Sequence, residues 1–225
     1  MEFNLSQIVF ITGASRGIGL ELARQFKSKG CTVVATCRES APELQELDVE
    51  ALTDIDVTSE ESCLKLQSYF TNRKIDILIN CAGLLYCETL QDMNFENIVR
   101  QFEVNSLAPL RVIHHLKGSL SNGSKAIIIT SRMGSIEDNS SGAYYGYRMS
   151  KAAVNMAGKC LANDLKPLGI SVALLHPGFV KTRMTNFNGD STPQESASNL
   201  IKRIEHLDIK TTGSFWHASG QELPW

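Results

Sequence analysis

The sequence predicts an α/β fold in which a parallel sheet of about seven strands carries helices on both faces. Short apolar runs rich in β-branched residues recur along the chain, and stretches with helical spacing separate them. This alternation is typical of a doubly wound parallel sheet. No Pro/Ser-rich linker, block of charge or internal repeat divides the chain. We therefore expect a single domain over residues 1–225.

The predicted strands are the apolar runs themselves. Several are nearly continuous in hydrophobicity, as strands covered on both faces should be. They lie at 8–12, 32–35, 52–55, 75–79, 126–130 and 170–175.

Four helices are predicted from apolar residues that recur on one helical face. The second opens at Thr58 or Ser59, either of which can cap it. The polar stretch 186–199 is expected to be a surface loop leading into a helix, or a mobile flap. The predicted apolar faces are Ile18, Leu22, Ala23 and Phe26; Leu64, Leu66 and Phe70; Phe95, Ile98, Val99 and Phe102; and Ala152, Ala153, Met156, Cys160 and Leu161.

Composition excludes several classes of protein. Lys plus Arg is 22 and Asp plus Glu is 24, so the formal charge is −2, without the basic excess of nucleic-acid or membrane-surface proteins. No stretch approaches the ~18 apolar residues of a membrane span. The six cysteines form no C-x-x-C pair and have no His at zinc-like spacing. We expect no metal, and mostly buried, reduced thiols in a cytoplasmic protein.

A glycine-rich turn follows the first strand directly. It reads Thr12-Gly13-Ala14-Ser15-Arg16-Gly17-Ile18-Gly19, and it leads into the first helix. Glycines at such a turn let backbone N–H groups approach a pyrophosphate at the positive end of the helix. The spacing differs from G-x-G-x-x-G but predicts the same kind of dinucleotide site.

The end of the second strand bears on which dinucleotide binds. NAD sites place a carboxylate there for the ribose hydroxyls, but Cys37 stands at the strand tip and Arg38 follows it. Arg38 and Arg16 could pair with a 2′-phosphate. We therefore expect NADP(H). The alternative is that Glu39 takes the ribose, which leaves NAD(H) possible.

Further motifs make the sequence resemble the short-chain dehydrogenase/reductase family almost end to end. Within it, residues 133–136 and 145–151 look closest to the C-factor-like carbonyl reductase branch. The resemblance implies a Rossmann-type domain with a dinucleotide-binding half at about 1–120 and a catalytic and substrate half at about 121–225. The matching motifs are the turn at 12–19, Asp56-Val57, Asn80-Cys81-Ala82-Gly83 with Cys81 in place of the family's second Asn, Asn105, Ser131, Tyr147 with Lys151, and Pro177-Gly178 with Val180 and Thr182.

The resemblance assigns roles to these positions. Cofactor binding is expected from Gly13, Ser15, Arg16, Gly17, Ile18, Gly19, Arg38, Asp56, Val57, Asn80, Ala82, Gly83, Tyr147, Lys151, Pro177, Gly178, Val180 and Thr182. A substrate pocket is expected from Tyr86, Met133, Tyr144, Phe179 and Met184.

Catalysis is expected from Asn105, Ser131, Tyr147 and Lys151. Tyr147 would be the general acid/base, and the nearby cation of Lys151 should lower its pKa from about 10. Ser131 would donate to the substrate oxygen. The resemblance implies that Lys151 also binds the nicotinamide ribose and that Asn105 holds a water that resupplies the proton. Ser135 is an alternative to Ser131.

The expected function is hydride transfer between a nicotinamide cofactor and a carbonyl or alcohol substrate. Tyr144, seven residues before Lys151, leaves double-bond reduction as a lesser alternative. An NADP(H)-binding signalling or sensor protein of C-factor type is the alternative from another class, and a sugar epimerase or dehydratase is a third. A homodimer or homotetramer is expected, with no nucleic-acid or membrane partner.

Overall fold

A single parallel sheet organises residues 7–225, which are the residues that the computed structural model describes. Residues 1–6 of the predicted domain lie outside the described residues. The strands are β1 (Ile8–Thr12), β2 (Thr32–Thr36), β3 (Glu50–Leu52), β4 (Ile77–Asn80), β5 (Lys125–Ile129), β6 (Ser171–His176) and β7 (Ser214–His217).

The strand order confirms the predicted Rossmann-type, doubly wound sheet. The order is β3-β2-β1-β4-β5-β6-β7, and every neighbouring pair is parallel. The order reverses between β1 and β4, and ligands of open α/β sheets bind outside the carboxyl ends of the strands at such a point.

Helices cover both faces of this sheet. They are α1 (Gly17–Ser28), α2 (Pro42–Gln45), α3 (Glu60–Tyr69), α4 (Phe95–Phe102), α5 (Ala108–Leu116), α6 (Tyr145–Leu165) and α7 (Pro193–His206). A π-helical turn (Glu103–Leu107) joins α4 to α5, and short 3₁₀ turns lie at Lys117–Ser119, Arg132–Gly134, Lys166–Leu168 and Arg183–Thr185. Among the described residues, no helix has the length and apolar content needed to cross a membrane.

The core is divided by the sheet because successive strand residues point to opposite faces. Val9 and Ile11 of β1 pack in the cluster that contains Phe26 of α1 and Leu200 of α7. Phe10, between them, packs on the other side. This double burial explains why the strands are apolar throughout.

Local capping fixes where two of the helices begin. The Ser59 hydroxyl accepts a hydrogen bond from Ser62 N, so α3 begins after Ser59 rather than after Thr58. In α7 the side chains of Thr192 and Glu195 each accept from the other's backbone N–H, with Pro193 at the first helical position. The polar stretch at 186–199 is therefore a loop leading into a helix.

Several sequence-based expectations differ from the structure. The third strand ends at Leu52 because the backbone turns through a left-handed conformation at Asp54, with φ of 57°. Phe95 and Val99 of α4 are 73% and 58% exposed. Met156 of α6 is 67% exposed, because α6 turns small residues, including Gly158, toward the sheet.

The cysteines are less uniformly buried than expected. Cys31, Cys37 and Cys63 are buried, Cys81 is half-buried, and Cys87 and Cys160 are exposed. No disulfide links the six thiols, all of which lie within the described residues.

Candidate active site

The glycine turn lies at the carboxyl end of β1, beside the end of β4. Gly13 has φ of +68°, a conformation that favours glycine, and a Cβ atom there would lie 2.6 Å from the Cα atom of Ala82. A Cβ atom on Gly19 would collide with the main-chain oxygen of Gly13. The two glycines thus allow a tight turn packed against the loop after β4.

The first turn of α1 is open for an anion. Gly17, its first residue, has φ of +59°, and the preceding Arg16 makes no side-chain cap. The first N–H groups of a helix lack intrahelical partners, and at α1 they carry no acidic neighbour in the first turn. A pyrophosphate fits this uncapped, glycine-rich end. Ser15 and Ile18 lie in the same turn and are partly buried.

Two arginines flank this turn. Arg16 and Arg38 are both exposed, and Cys37 before Arg38 is buried. Burial by itself would raise the pKa of the Asp56 carboxyl, but hydrogen bonds from Thr58 and the charges of Arg100 and Arg38 hold that pKa below its ordinary value. Arg38 therefore lies within electrostatic range of Asp56.

Loops after β3 and β4 form the next walls of the cleft. Val57 is buried beside Asp56, and Asn80 is buried with no hydrogen-bond partner for its Nδ2 atom among the described residues. Gly83 is exposed at the cleft, where a Cβ atom would lie 3.3 Å from Asn105 Oδ1 and 4.0 Å from Lys151 Nζ. The absence of a side chain at Gly83 leaves space in front of both groups.

The segment after β6 closes over the glycine turn. Thr182 approaches Gly17 so closely that a Cβ atom there would lie 3.5 Å from Thr182 Cγ2. Val180 is buried and pairs with Ser191, and Ser196 Oγ donates to the main-chain oxygen of Pro177 at 2.8 Å. Gly178 has φ of +91°. The two cofactor motifs, far apart in sequence, thus border one cleft.

Tyr147 and Lys151 are both buried on α6, one helical turn apart. Lys151 Nζ lies 5.6 Å from the centre of the Tyr147 ring and donates to the main-chain oxygen of Ile129 at 2.9 Å. Burial lowers the pKa of Lys151 to about 8, against the opposing charge interaction with Cys81. The Lys151 amine can therefore gain or lose its proton at a pH close to neutrality.

The pKa of Tyr147 moves opposite to the sequence-based expectation. Burial raises it to about 12, while a hydrogen bond with Ser131 works in the lowering direction. The expected lowering by Lys151 is wrong for the protein alone, because desolvation of the phenolate outweighs a cation at this distance. Tyr147 is thus a protonated phenol at neutral pH.

Ser131 and Ser135 have different partners. Ser131 follows β5 and accepts from Met133 N at 3.1 Å, and it is the group that acts to lower the pKa of Tyr147. Ser135 Oγ donates to the main-chain oxygen of Trp225, which also accepts from Ile136 N and Glu137 N. The structure therefore brings Ser131, not Ser135, to Tyr147.

Asn105 lies in the π-helical turn and is buried. Its Oδ1 accepts from Leu84 N at 2.9 Å, and its Nδ2 donates to Leu84 O at 2.9 Å and to Ser150 Oγ at 3.0 Å. Ser150 Oγ in turn donates to the main-chain oxygen of Tyr147 at 2.8 Å. Asn105 therefore connects the loop after β4 to the helix that carries Tyr147 and Lys151.

The expected pocket residues are partly exposed apolar side chains. They are Tyr86, Met133, Tyr144, Phe179 and Met184. Tyr144 precedes α6 in a left-handed conformation with φ of 52°. Hydrogen bonding and charge at Cys87 raise the pKa of the Tyr144 phenol.

Several features of the site were not found from the sequence. Burial and the neighbouring His217 lower the pKa of His176 to about 3, and the two imidazole rings lie 5.1 Å apart. Trp225 holds the loop after Ser131 through its main-chain oxygen. No short-range spacing signals either contact. Within residues 7–225, no cluster of three or more His, Cys, Asp or Glu side chains could hold a metal ion.

This combination of sheet, glycine turn and buried Tyr–Lys pair defines a class of dinucleotide-dependent oxidoreductases. The family model of short chain dehydrogenases matches residues 7–193. The chain therefore belongs to the short-chain dehydrogenase/reductase family, which confirms the family predicted from its motifs.

Two curated relatives and one solved structure show the similarity. A 1-hydroxy-2-glutathionyl-2-methyl-3-butene dehydrogenase from Rhodococcus sp. (strain AD45) is 39% identical over 96% of this chain and 99% of its own length. The C-signal protein of Myxococcus xanthus is 39% identical over 67% of this chain and 93% of its own length. The NADPH-bound carbonyl reductase from chicken fatty liver superposes with a TM-score of 0.85 at 28% identity, covering 97% of this chain and 99% of that one.

Proposed function

We propose that the protein is an NADPH-dependent reductase of carbonyl compounds that also oxidises the corresponding alcohols. One observation carries the proposal. Tyr147 is buried and protonated, Ser131 is close enough to act on the pKa of its phenol, and Lys151 lies on the same helix face. These are the groups needed to deliver a proton to an oxygen that becomes an alkoxide.

Each residue of the group has a distinct role in the proposed reaction. When bound, NADPH supplies the hydride. Tyr147 donates its proton to the substrate oxygen, and Ser131 donates a second hydrogen bond where negative charge develops. Lys151 orients the cofactor and stabilises the phenolate left behind, and its pKa of about 8 suits it to proton exchange near neutrality. Asn105 fixes the helix backbone through Ser150 and holds the water that resupplies the proton.

The preference for NADP(H) over NAD(H) is supported by charge at the mouth of the glycine turn. Arg16 and Arg38 are exposed there, and the residue directly after β2 is Cys37 instead of a carboxylate. Guanidinium groups pair strongly with a phosphate monoester. The solved carbonyl reductase from chicken fatty liver is also described as NADPH-bound.

The proposed substrates are small carbonyl compounds and alcohols with an apolar body. Tyr86, Phe179 and Met184 present apolar surface next to the cleft, and such walls accept many shapes. The Rhodococcus relative is named for an alcohol that bears a glutathionyl group. Glutathionyl alcohols therefore belong in the substrate panel.

Tyr147→Phe tests the proposed function. It removes the phenolic proton and keeps the ring, so NADPH oxidation with a carbonyl panel should fall by about 100-fold or more. The Kd for NADPH, read from cofactor fluorescence, should change little. Wild-type-like turnover in this variant would refute the proposed mechanism.

Similarity to C-signal supports a second candidate from another class. Under this second candidate function, the protein is a signalling or sensor protein that binds NADP(H) with little turnover. The carbonyl panel separates the two candidates, since tight NADPH binding with no turnover on any substrate favours the sensor.

Self-association is proposed from the exposed apolar residues on two helices. Phe95 and Val99 of α4 and Met149 and Met156 of α6 are exposed, and α4 packs against α6. A dimer or tetramer would cover them. Light scattering on Val99→Glu/Met156→Glu should give a smaller mass than wild type, whereas Leu64→Glu, at an exposed position of α3, should not. An unchanged mass for the double variant would contradict this surface.

A further inference from the structure

The segment after Gly83 is held to α4 and the π-helical turn at every second residue. Leu84 exchanges two hydrogen bonds with Asn105, as described above. Tyr86 N donates to Gln101 Oε1 at 2.9 Å, and Gln101 Nε2 donates to Glu88 Oε1 at 2.8 Å. This alternation is that of an extended strand whose successive residues point to opposite sides.

Glu88 is a buried carboxyl outside the group proposed for catalysis. Glu88 is only 1% exposed, and Gln101 is 0% exposed. Glu88 Oε2 accepts from Gly146 N at 3.1 Å, and its main-chain oxygen accepts from Tyr144 N at 2.7 Å. One residue therefore joins the loop after β4, helix α4 and the first turn of α6.

No other side chain within residues 7–225 caps the beginning of α6. Tyr144 occupies the capping position in a left-handed conformation and makes no cap hydrogen bond. Gly146 lies directly against α4, where a Cβ atom would be 2.9 Å from Ile98 Cα and would collide with Gln101 Nε2. Glu88 thus supplies from a distant loop the acceptor that this helix end requires.

We propose that Glu88, together with Gln101, is a positioning residue for Tyr147 and for the pocket wall. The inference rests on the proposed function, because it assigns to the pair the placement of the general acid. Gly146 N, the atom that Glu88 holds, belongs to the residue next to Tyr147. The same pair holds the backbone of Tyr86 and Tyr144, two residues expected to line the pocket. A displacement of about 1 Å at a reacting group can cost about 100-fold in rate.

The hydrogen-bond chain has a polarity that can be reversed. In Glu88→Gln, the NH2 group of the new amide faces another donor, either Gln101 Nε2 or Gly146 N, and one hydrogen bond is lost. In Gln101→Glu, two carboxyl groups face each other. In the double variant Glu88→Gln/Gln101→Glu, the amide at position 88 can donate to the carboxylate at position 101 and accept from Gly146 N. The carboxylate at position 101 also accepts from Tyr86 N, so every hydrogen bond of the original chain is restored.

Steady-state kinetics on the folded variants provide the first readout. Each single variant should lose about 10-fold to 100-fold in kcat with the most active carbonyl, with a higher KM for the carbonyl and a Kd for NADPH within about threefold of wild type. The double variant should recover kcat and KM to within about threefold, since its hydrogen bonds are restored. Hydrogen exchange of the Gly146 amide, which needs no turnover, should quicken in the single variants and slow again in the double variant.

A second Glu–Gln pair, with its Glu buried and its Gln partly buried, offers a control. On α1, Gln25 Nε2 donates to Glu21 Oε1 at 3.0 Å, and Glu21 is buried. Glu21→Gln and Glu21→Gln/Gln25→Glu should leave kcat and KM unchanged, even where the melting temperature falls. This control distinguishes an effect on kcat that follows from lower stability from one that follows from displacement of Tyr147.

Three outcomes would overturn the inference. They are single variants that keep wild-type kcat and KM, single variants that do not fold, and a double variant that regains Gly146 protection without regaining kcat. Failure of the proposed function would be seen separately, as turnover in Tyr147→Phe or as its absence in wild type. If wild type shows no turnover, hydrogen exchange at Gly146 and NADPH binding still test the hydrogen bond between Gly146 N and Glu88.

Discussion

Lys151 donates its Nζ hydrogen bond to the main-chain oxygen of Ile129, at the end of β5. Ser131, which acts on the pKa of Tyr147, lies two residues further along the same chain segment. The strand end that presents Ser131 therefore also anchors the amine. The distances from the Ser131 and Tyr147 hydroxyls to the Lys151 amine are set by one sheet and one helix, which are rigid elements.

Stability should depend on pH through Lys151. Its folded pKa of about 8 lies below its ordinary value of 10.5, so the folded state disfavours the charged amine. Below pH 8 the Lys151 amine is protonated in both the folded and the unfolded state, so burying its charge lowers the stability by the full amount. Between about pH 8 and 10.5 only the folded amine loses its proton, so the cost fades as the pH rises.

Comparison with Lys151→Met measures this effect. The free energy of unfolding of wild type relative to the variant should rise by up to about 3 kcal/mol between pH 8 and 10.5. Chemical denaturation at intervals of pH checks it. The difference below pH 7 should be constant and serves as the internal reference. A difference that stays constant through pH 10.5 would show that the amine is not desolvated.

Cofactor preference should respond to Arg38. Arg38→Asp replaces a cation that favours a 2′-phosphate with a carboxylate that repels it and can accept from ribose hydroxyls. The ratio of kcat/KM for NADPH to that for NADH should fall by about 10-fold or more.

Lys202→Asp makes the same change of charge at an exposed position on α7. It should leave the ratio of the two cofactors unchanged. An equal fall in both variants would point to the net charge of the protein, and no fall in either would remove Arg38 as the selector.

Local signals were sufficient to predict the sheet and the glycine turn. Residues such as Val9 and Phe10 are apolar because both faces of the sheet are covered. Gly13 and Gly19 are required by contacts within one strand–turn–helix unit and the adjacent loop. Such patterns can be seen in a sequence because a short segment imposes them.

Other features depend on contacts that no local pattern reveals. Hydrophobic periodicity marked Val99 and Met156 as core residues, yet both are exposed, because apolar spacing does not show what a helix face packs against. The hydrogen bond of Glu88 to Gly146 spans 58 positions. The pKa of Tyr147 follows from burial, which spacing alone does not give.

The close approach of Gly134 to α6 should be intolerant of a methyl group. A Cβ atom at Gly134 would lie 2.6 Å from the main-chain carbon of Lys151 and 2.8 Å from its oxygen. Neither backbone atom can move without shifting α6. Gly134→Ala should therefore lower the free energy of unfolding by about 1–3 kcal/mol.

The same substitution should also disturb catalysis, because Gly134 lies in the turn that follows Ser131. Displacing that turn from α6 separates Ser131 from Tyr147, so kcat should fall by about 10-fold or more while NADPH still binds. Gly118→Ala is the matched control, since a Cβ atom there meets nothing within 4 Å. It should leave kcat unchanged and the protein at least as stable. Thermal unfolding and kinetics of both variants decide the matter: if Gly134→Ala is as stable and active as Gly118→Ala, then the turn after Ser131 is not fixed by its contact with α6.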